Sequence, residues 1–441
     1  MESNLIFGLP AICGVIPLIV YIILAFKKGM NTIVNVVVCV IIGAILLKQG
    51  PMEIGTQLYA SIGSFLGLVG MMIMCGSGLG AILRKTGVAG NIVNFLINKV
   101  GVSTTKRAIL STMICSDLMV VMLGTLAGAN AVIAPIVIPL VTIVGLTPWT
   151  VSVIFQGAGQ AALFLSPISA ATMVLMEATG ATYPQILLWA GVPLFLVMNI
   201  GTYFIACKIQ KESFGKVAYT VEPDEAAASK NFVMTPEIKR TTIAFAVTMI
   251  VMVALGIVIN GGASFAVVIM MVTAAITGKV AGLKWDDLID TFCDGCGKLV
   301  NLFIMFVLFD MFLVYVTNTG AFDALVGLLE PLAMGAGKVV FTLVVTLIGI
   351  FGVQGAAVAQ VAVITALFQD MVTSIGLSLP VWAMCIVVGS QVTSFAYPGS
   401  DMMGAMGIAR CDSIKPMMKL AYMAIIPGTV LLTIIWAFLF G

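Results

Sequence analysis

Long apolar runs separated by short polar breaks make up almost the whole chain. They occupy residues 5–26, 31–47 and 57–83, pause at Thr86-Gly87, and resume over 88–98 and about 108–123. The stretch 124–180 stays apolar but is punctuated by Gly, Pro, Ser, Gln and Asn, and 185–207 is apolar without a break. A run of about 20 such residues is long enough to cross the hydrocarbon of a bilayer as one helix. The one long polar segment, 208–240, mixes Lys208, Lys211, Lys216, Lys230, Lys239 and Arg240 with Glu212, Glu222, Asp224, Glu225 and Glu237. Beyond it the rhythm returns, with apolar runs at 241–260, 263–278 and 297–317, a break at Thr319-Gly320, a run near 339–351, a broken region 352–409 and a last run at 416–440. The pattern predicts an all-α polytopic membrane protein: a first transmembrane repeat over 1–207, a linker over 208–240, and a second transmembrane repeat over 241–441.

The repeat is also visible in individual residues. Gln160, Phe164, Pro167 and Ser169 recur 231 positions later as Gln391, Phe395, Pro398 and Ser400. Gly124, Ala131-Val132-Ile133 and Gly145-Leu146 recur at the same spacing as Gly355, Ala362-Val363-Ile364 and Gly376-Leu377. Basic residues favour the cytoplasmic side of a membrane. With both termini outside, all of the 21 basic residues except Lys48 and Lys338 fall inside, and the linker is cytoplasmic. The two repeats then cross in opposite senses. Inverted repeats that break at corresponding places point to a secondary transporter and to its binding site.

The broken regions are where chemistry is expected, because irregular backbone at membrane depth is tolerated only where it lines a cavity or is buried in protein. Pro135, Pro139, Pro167 and Pro398 interrupt helical hydrogen bonding there. Re-entrant hairpins or unwound helices are expected, with free N–H groups at half-helix N-termini. Asn130, Gln160, Ser166, Ser169, Gln391, Ser394 and Ser400 are the candidate substrate-binding residues; Gly and Ser that merely let helices approach closely are the plainer alternative. Carboxylates inside apolar runs are costly and mark function by default. Asp117, Asp310 and Asp401 are therefore the candidate ion-coupling residues, or else structural aspartates satisfied by neighbouring donors. Glu177, Glu330, Asp370 and Asp412 fall near expected helix ends and read as interfacial.

Composition narrows the classes. The chain has 441 residues, 61% hydrophobic and 9% charged, with a mean hydropathy of +1.17. Soluble domains carry about 25% charged residues, so lipid is the solvent for most of this chain. A net charge of +2 leaves no basic face for nucleic acid. The absence of histidine excludes imidazole metal sites and histidine proton relays. No HExxH or GxSxG pattern supports an enzyme, and no cofactor or metal is expected beyond Na+ or H+ as coupling ion. Cys293 and Cys296 have CxxC spacing, but no second pair completes a metal site. All four arginines sit in expected loops, so no arginine clamp awaits an anionic substrate.

With these motifs laid out, the chain resembles members of the ion transporter superfamily, which includes NhaC-type sodium/proton antiporters and organic-acid and amino-acid permeases. Gly124-Thr125, Gly145-Leu146-Thr147-Pro148 and Ser166-Pro167-Ile168-Ser169 in the first half, and Gly376-Leu377 and Tyr397-Pro398-Gly399-Ser400-Asp401 in the second, carry the likeness. Ala170 stands where the NhaC-type pattern has Asp, and Leu163-Phe164 and Ser394-Phe395 stand where it has Gly-Asp. Fewer carboxylates suit a carrier of a small organic acid or amino acid, coupled to Na+ or H+, better than a sodium/proton antiporter without organic substrate; a passive channel is the third reading. The resemblance implies a homodimer in a bacterial cytoplasmic membrane, with a scaffold part and a moving part whose hairpins carry the substrate.

Overall fold

A computed structural model describes residues 5–25, 32–100, 104–219, 235–259, 261–352, 357–397 and 400–441. Among the described residues there is no strand, and six helices are long and apolar enough to cross a membrane. In chain order the first half holds α1 (Ile16–Ala25), α2 (Thr32–Leu46), α3 (Pro51–Ile62), α4 (Phe65–Lys85), α5 (Val88–Val100), α6 (Thr105–Leu123), α7 (Leu126–Thr142), α8 (Pro148–Leu163), α9 (Ala170–Thr179) and α10 (Tyr183–Ser213). The second half holds α11 (Pro236–Val258), α12 (Gly262–Val280), α13 (Trp285–Gly297), α14 (Val300–Asn318), α15 (Ala321–Gly352), α16 (Ala357–Ser374), α17 (Leu379–Ala396), α18 (Ser400–Ile408) and α19 (Lys415–Phe440). The chain is a polytopic, all-helical membrane protein. The two halves run through their elements in the same order if α15, which breaks at Gly337 where φ is +74°, stands for both α5 and α6.

Two expectations from sequence need correcting. The apolar run 57–83 is not one span: it divides at Gly63-Ser64 into α3 and α4, because the Ser64 hydroxyl accepts from the Gly67 N–H and caps a new helix. Pro135 and Pro139 do not break their segment, since α7 runs through both. Membrane helices tolerate such prolines where neighbouring helices enclose the freed carbonyls. The helix entering the linker also continues to Ser213, past the expected boundary at 207; residues 220–234 of the linker lie outside the described residues.

Two irregularities recur 234 residues apart. In α10 the Val192 N–H donates to Leu187 O, five residues back, and in α19 the Ile426 N–H donates to Ala421 O. Pro193 and Pro427 follow at once. A proline offers no N–H to the carbonyl four residues earlier and its ring crowds that carbonyl, so the turn before it widens by one residue into a π-turn.

α8 lies deepest, with nearly every residue from Pro148 to Ala162 buried. It packs against α6, α7 and α10 of its own half and α18 and the start of α19 of the other. Close approach depends on two glycines. A Cβ on Gly157 would lie 2.2 Å from Thr202 Oγ1 on α10, and one on Gly159 would lie 2.4 Å from Leu126 Cδ1 on α7. In the second half α15 crosses α17 backbone to backbone, where a Cβ on Gly349 would stand 2.5 Å from the Gly389 Cα.

Candidate functional site

The start of α8 is fastened to the end of α10. Thr147 caps α8, and its N–H and the Thr150 hydroxyl both donate to Gln210 Oε1, at 3.1 and 2.7 Å. Gln210 Nε2 in turn donates to Gly145 O at 2.7 Å, so one buried amide satisfies three groups at the turn. This fixes the axial position of every side chain further along α8.

One face of α8 looks into the second half. Residues 149, 152, 156 and 160 share it by their spacing of three and four. Trp149 Nε1 donates to Asp412 Oδ1 at 2.9 Å, the Ser152 hydroxyl lies within hydrogen-bond reach of the Cys411 thiol, and Gln160 Nε2 donates to Gln391 Oε1 at 3.4 Å. Gln160 and Gln391 are the two residues that occupy the same place in the sequence repeat. Both are buried, and Gln160 Oε1 has no partner among the described residues. Ser394 donates to Gln391 O at 2.8 Å and closes the turn where α17 changes direction. Past the ends of α8 and α17 the chain is held in matching fashion: Tyr183 donates to Leu165 O at 2.8 Å and Tyr422 to Ala396 O at 2.9 Å, carbonyls again 231 residues apart.

The other predicted polar residues sit near this seam but are engaged within the first half. Asn130 Oδ1 accepts from Ser116 at 2.9 Å and its Nδ2 donates to Phe155 O at 3.0 Å, so the amide joins α6, α7 and α8. Ser166 donates to Val121 O at 2.8 Å. Ser169 caps α9, accepting from the Thr172 N–H and donating to Leu163 O at 2.6 Å. These bonds support the irregular stretch between α8 and α9, where Gly124, in the left-handed region at φ +64°, comes so near Ile168 O that a Cβ would lie 2.7 Å from it. The Ser400 side chain lies outside the described residues.

The three carboxylates have separate surroundings. Asp117 Oδ1 accepts from Asn199 Nδ2 at 3.4 Å at the contact of α6 with α10. Asp310, on α14, faces the hydroxyls of Ser61 and Ser64 and lines a cavity of about 520 Å³ between α4, α9, α14 and α16. Glu177, read from sequence as interfacial, lines the same cavity, as do Thr317 and Thr365. Asp401 occupies the first turn of α18, where a helix N-terminus favours negative charge. Of the CxxC pair, Cys293 is exposed, while Cys296 packs on α4 so closely that a Cβ on Gly78 would lie 2.8 Å from its sulfur.

Sequence reasoning missed Gln156. It lies one helical turn before Gln160 on the seam face, is fully buried, and has no partner for either amide atom among the described residues. The signal that would have found it is the i, i+4 spacing of two amides on an otherwise small and apolar helix.

Residues 4–208 match the model of the Na+/H+ antiporter family. The YdaH transporter of Alcanivorax borkumensis shares the fold with a TM-score of 0.58 at 13% identity, over 95% of this chain and 98% of that one. MtrF of Neisseria gonorrhoeae, one of a class of antimetabolite efflux pumps, shares it with a TM-score of 0.54 at 18% identity, over 96% of each chain. Over its first half the chain is similar to an antiporter family, and over nearly its whole length it shares the fold of two transporters. No curated protein matches the sequence. The likeness to the antiporter family and to two transporters agrees with the resemblance read from the Gly-Thr, Gly-Leu and Ser-Pro motifs.

Proposed function

We propose that this protein is a secondary transporter that carries a small organic acid or amino acid across a bacterial cytoplasmic membrane, driven by Na+ or H+, at a site in the seam between its halves. The observation that carries the reading is the buried contact of Gln160 with Gln391. Two residues placed alike in two sequence repeats meet, with amide capacity to spare, where each half leaves its helix. Opposite orientation of the halves, with both termini outside, would put this seam near the bilayer midplane, as in carriers built from inverted repeats. Amides and hydroxyls hold an organic solute by hydrogen bonds, and Asp401, Asp117 and Asp310 are the groups available to bind the coupling ion. The antimetabolite cargo of MtrF, an organic solute moved by the same fold, supports an organic substrate here. A homodimer is the assembly proposed, in which one part of each protomer holds still while the other moves.

The test is uptake by the purified protein in liposomes under a Na+ or H+ gradient, with a panel of amino acids and carboxylates. Gradient-dependent uptake that falls at least tenfold in Gln160→Leu and in Gln391→Leu supports the reading. A second reading, sodium/proton exchange without organic substrate, is favoured by the antiporter-family match over residues 4–208. Its mark is a change of internal pH on a Na+ pulse with no organic solute present, abolished by Asp401→Asn.

A further inference from the structure

Resting on the carrier reading above, we infer that Gln156 is a solute-binding residue, and that the solute group it meets is a net-neutral one with both donors and acceptors: a carboxamide, or the paired ammonium and carboxylate of a zwitterion. Three observations meet here. First, Gln156 shares its face of α8 with Trp149, Ser152 and Gln160, and each of those three finds a partner in the second half. Gln156 therefore points into the same seam. Second, its side chain is fully buried and both Nε2 and Oε1 lack partners among the described residues. Buried amides are paired in folded proteins, and each exception needs a cause. The adjoining Gln160 Oε1 is also free. Together they offer two acceptors and the two N–H donors of one amide.

Third, the part of the seam around Gln156 and Gln160 is short of cations: Lys415 and Lys419 lie at the start of α19, toward the Trp149 end, and Lys419 is engaged by Glu212. No lysine or arginine occurs in α8, α17 or α18, and the one charged residue of these three helices is Asp401. A carboxylate buried without a cationic partner is costly, so a di- or tricarboxylate is a poor fit, whereas a group whose own charges cancel is a good one. The residue 231 positions on from Gln156 is Val387, also buried. The repeat thus supplies the symmetric pair Gln160–Gln391, and Gln156 makes the seam asymmetric. A solute held there has one preferred orientation.

Gln156→Met keeps the volume and removes both polar atoms. Melting of the full-length protein in nanodiscs, with and without 10 mM glutamine, serine or succinate, is read beside uptake of the same three solutes in liposomes. The expectation is that Gln156→Met melts no lower than wild type without solute, since an unpaired buried amide is replaced by an apolar group of the same shape. Its stabilisation by glutamine or serine shrinks, and the KM for their uptake rises at least tenfold. A variant that melts well below wild type and keeps an unchanged KM makes Gln156 a structural amide and overturns the inference. Wild type that prefers succinate over both amino acids overturns the solute class. Wild type that transports none of the three nor any other organic solute, yet moves protons on a Na+ pulse, overturns the carrier reading, and the inference with it.

Discussion

The crossing of α15 over α17 makes a sharp quantitative demand. A Cβ added at Gly349 would lie 2.5 Å from the Gly389 Cα and 2.8 Å from its carbonyl carbon and oxygen. Carbon atoms rest about 3.5–4.0 Å apart, so the helices must part by roughly 1 Å. The atoms in the way are backbone, which no rotamer change can move aside. Overpacking of this kind costs about 1–3 kcal/mol, against a gain of about 1 kcal/mol from the better helix propensity of Ala. The net expectation is a loss of roughly 0–2 kcal/mol. The functional effect is larger. Gly389 stands two residues before Gln391, whose 3.4 Å contact with Gln160 is already long, and a shift of about 1 Å parts the two amides. Gly349→Ala should lower the melting midpoint of the purified protein by up to a few degrees and cut solute uptake at least tenfold. Gly404→Ala is the control, because a Cβ there meets nothing within 4 Å. Equal melting and uptake in the two variants would refute the argument.

Three further outcomes follow from the same packing. Gly157→Ala drives a methyl to 2.2 Å from Thr202 Oγ1 and should destabilise the protein; because a side chain is the obstacle, Thr202→Ala in the same chain should restore most of the melting midpoint. Gln210→Leu strands the Thr147 N–H and Gly145 O together and leaves the Thr150 hydroxyl only its 3.0 Å bond with the Thr147 hydroxyl, and at about 1–3 kcal/mol for each buried group left unpaired it should lower the midpoint more than Asn199→Leu, which gives up one long bond to Asp117. Burial pushes the Cys411 thiol up, so less of it is thiolate at a given pH. Maleimide should modify the exposed Cys293 first near neutral pH and reach Cys411 only as the pH is raised, which mass spectrometry of the intact protein will show.

Much of this architecture is legible without coordinates. Apolar runs of span length reveal the membrane helices, and the recurrence of Gln160, Phe164 and Ser169 reveals which positions of the two halves correspond. Pairing of Gln160 with Gln391 follows from that recurrence. What stays hidden depends on partners far along the chain. Asn130 looks like a free amide in a broken region, yet Ser116 and the Phe155 carbonyl use both its ends. Gln156 has no counterpart in the repeat, so recurrence passes it by. Pro135 and Pro139 read as breaks because the penalty for an unpaired carbonyl is local, while its relief by enclosing helices is not. The division of α3 from α4 rests on a single serine cap, which looks like any other serine until the Gly67 N–H is seen to meet it.

The widened turns of α10 and α19 each hold one residue of slack, and the proline that follows bounds it on one side. A turn of this kind moves by handing its extra residue to the next turn, and the stretch it crosses rotates by about 100° while both ends stay in place. In α19 the Tyr422 ring rides on that stretch, and its hydroxyl holds Ala396 O at the end of α17. Rotation there would let go of the last helical turn of α17, which follows Gln391, without any helix sliding along its length. Mechanically the helix is a screw with a stop on one side: Pro427 bars passage toward Phe440, and all the play is left on the side of Lys415.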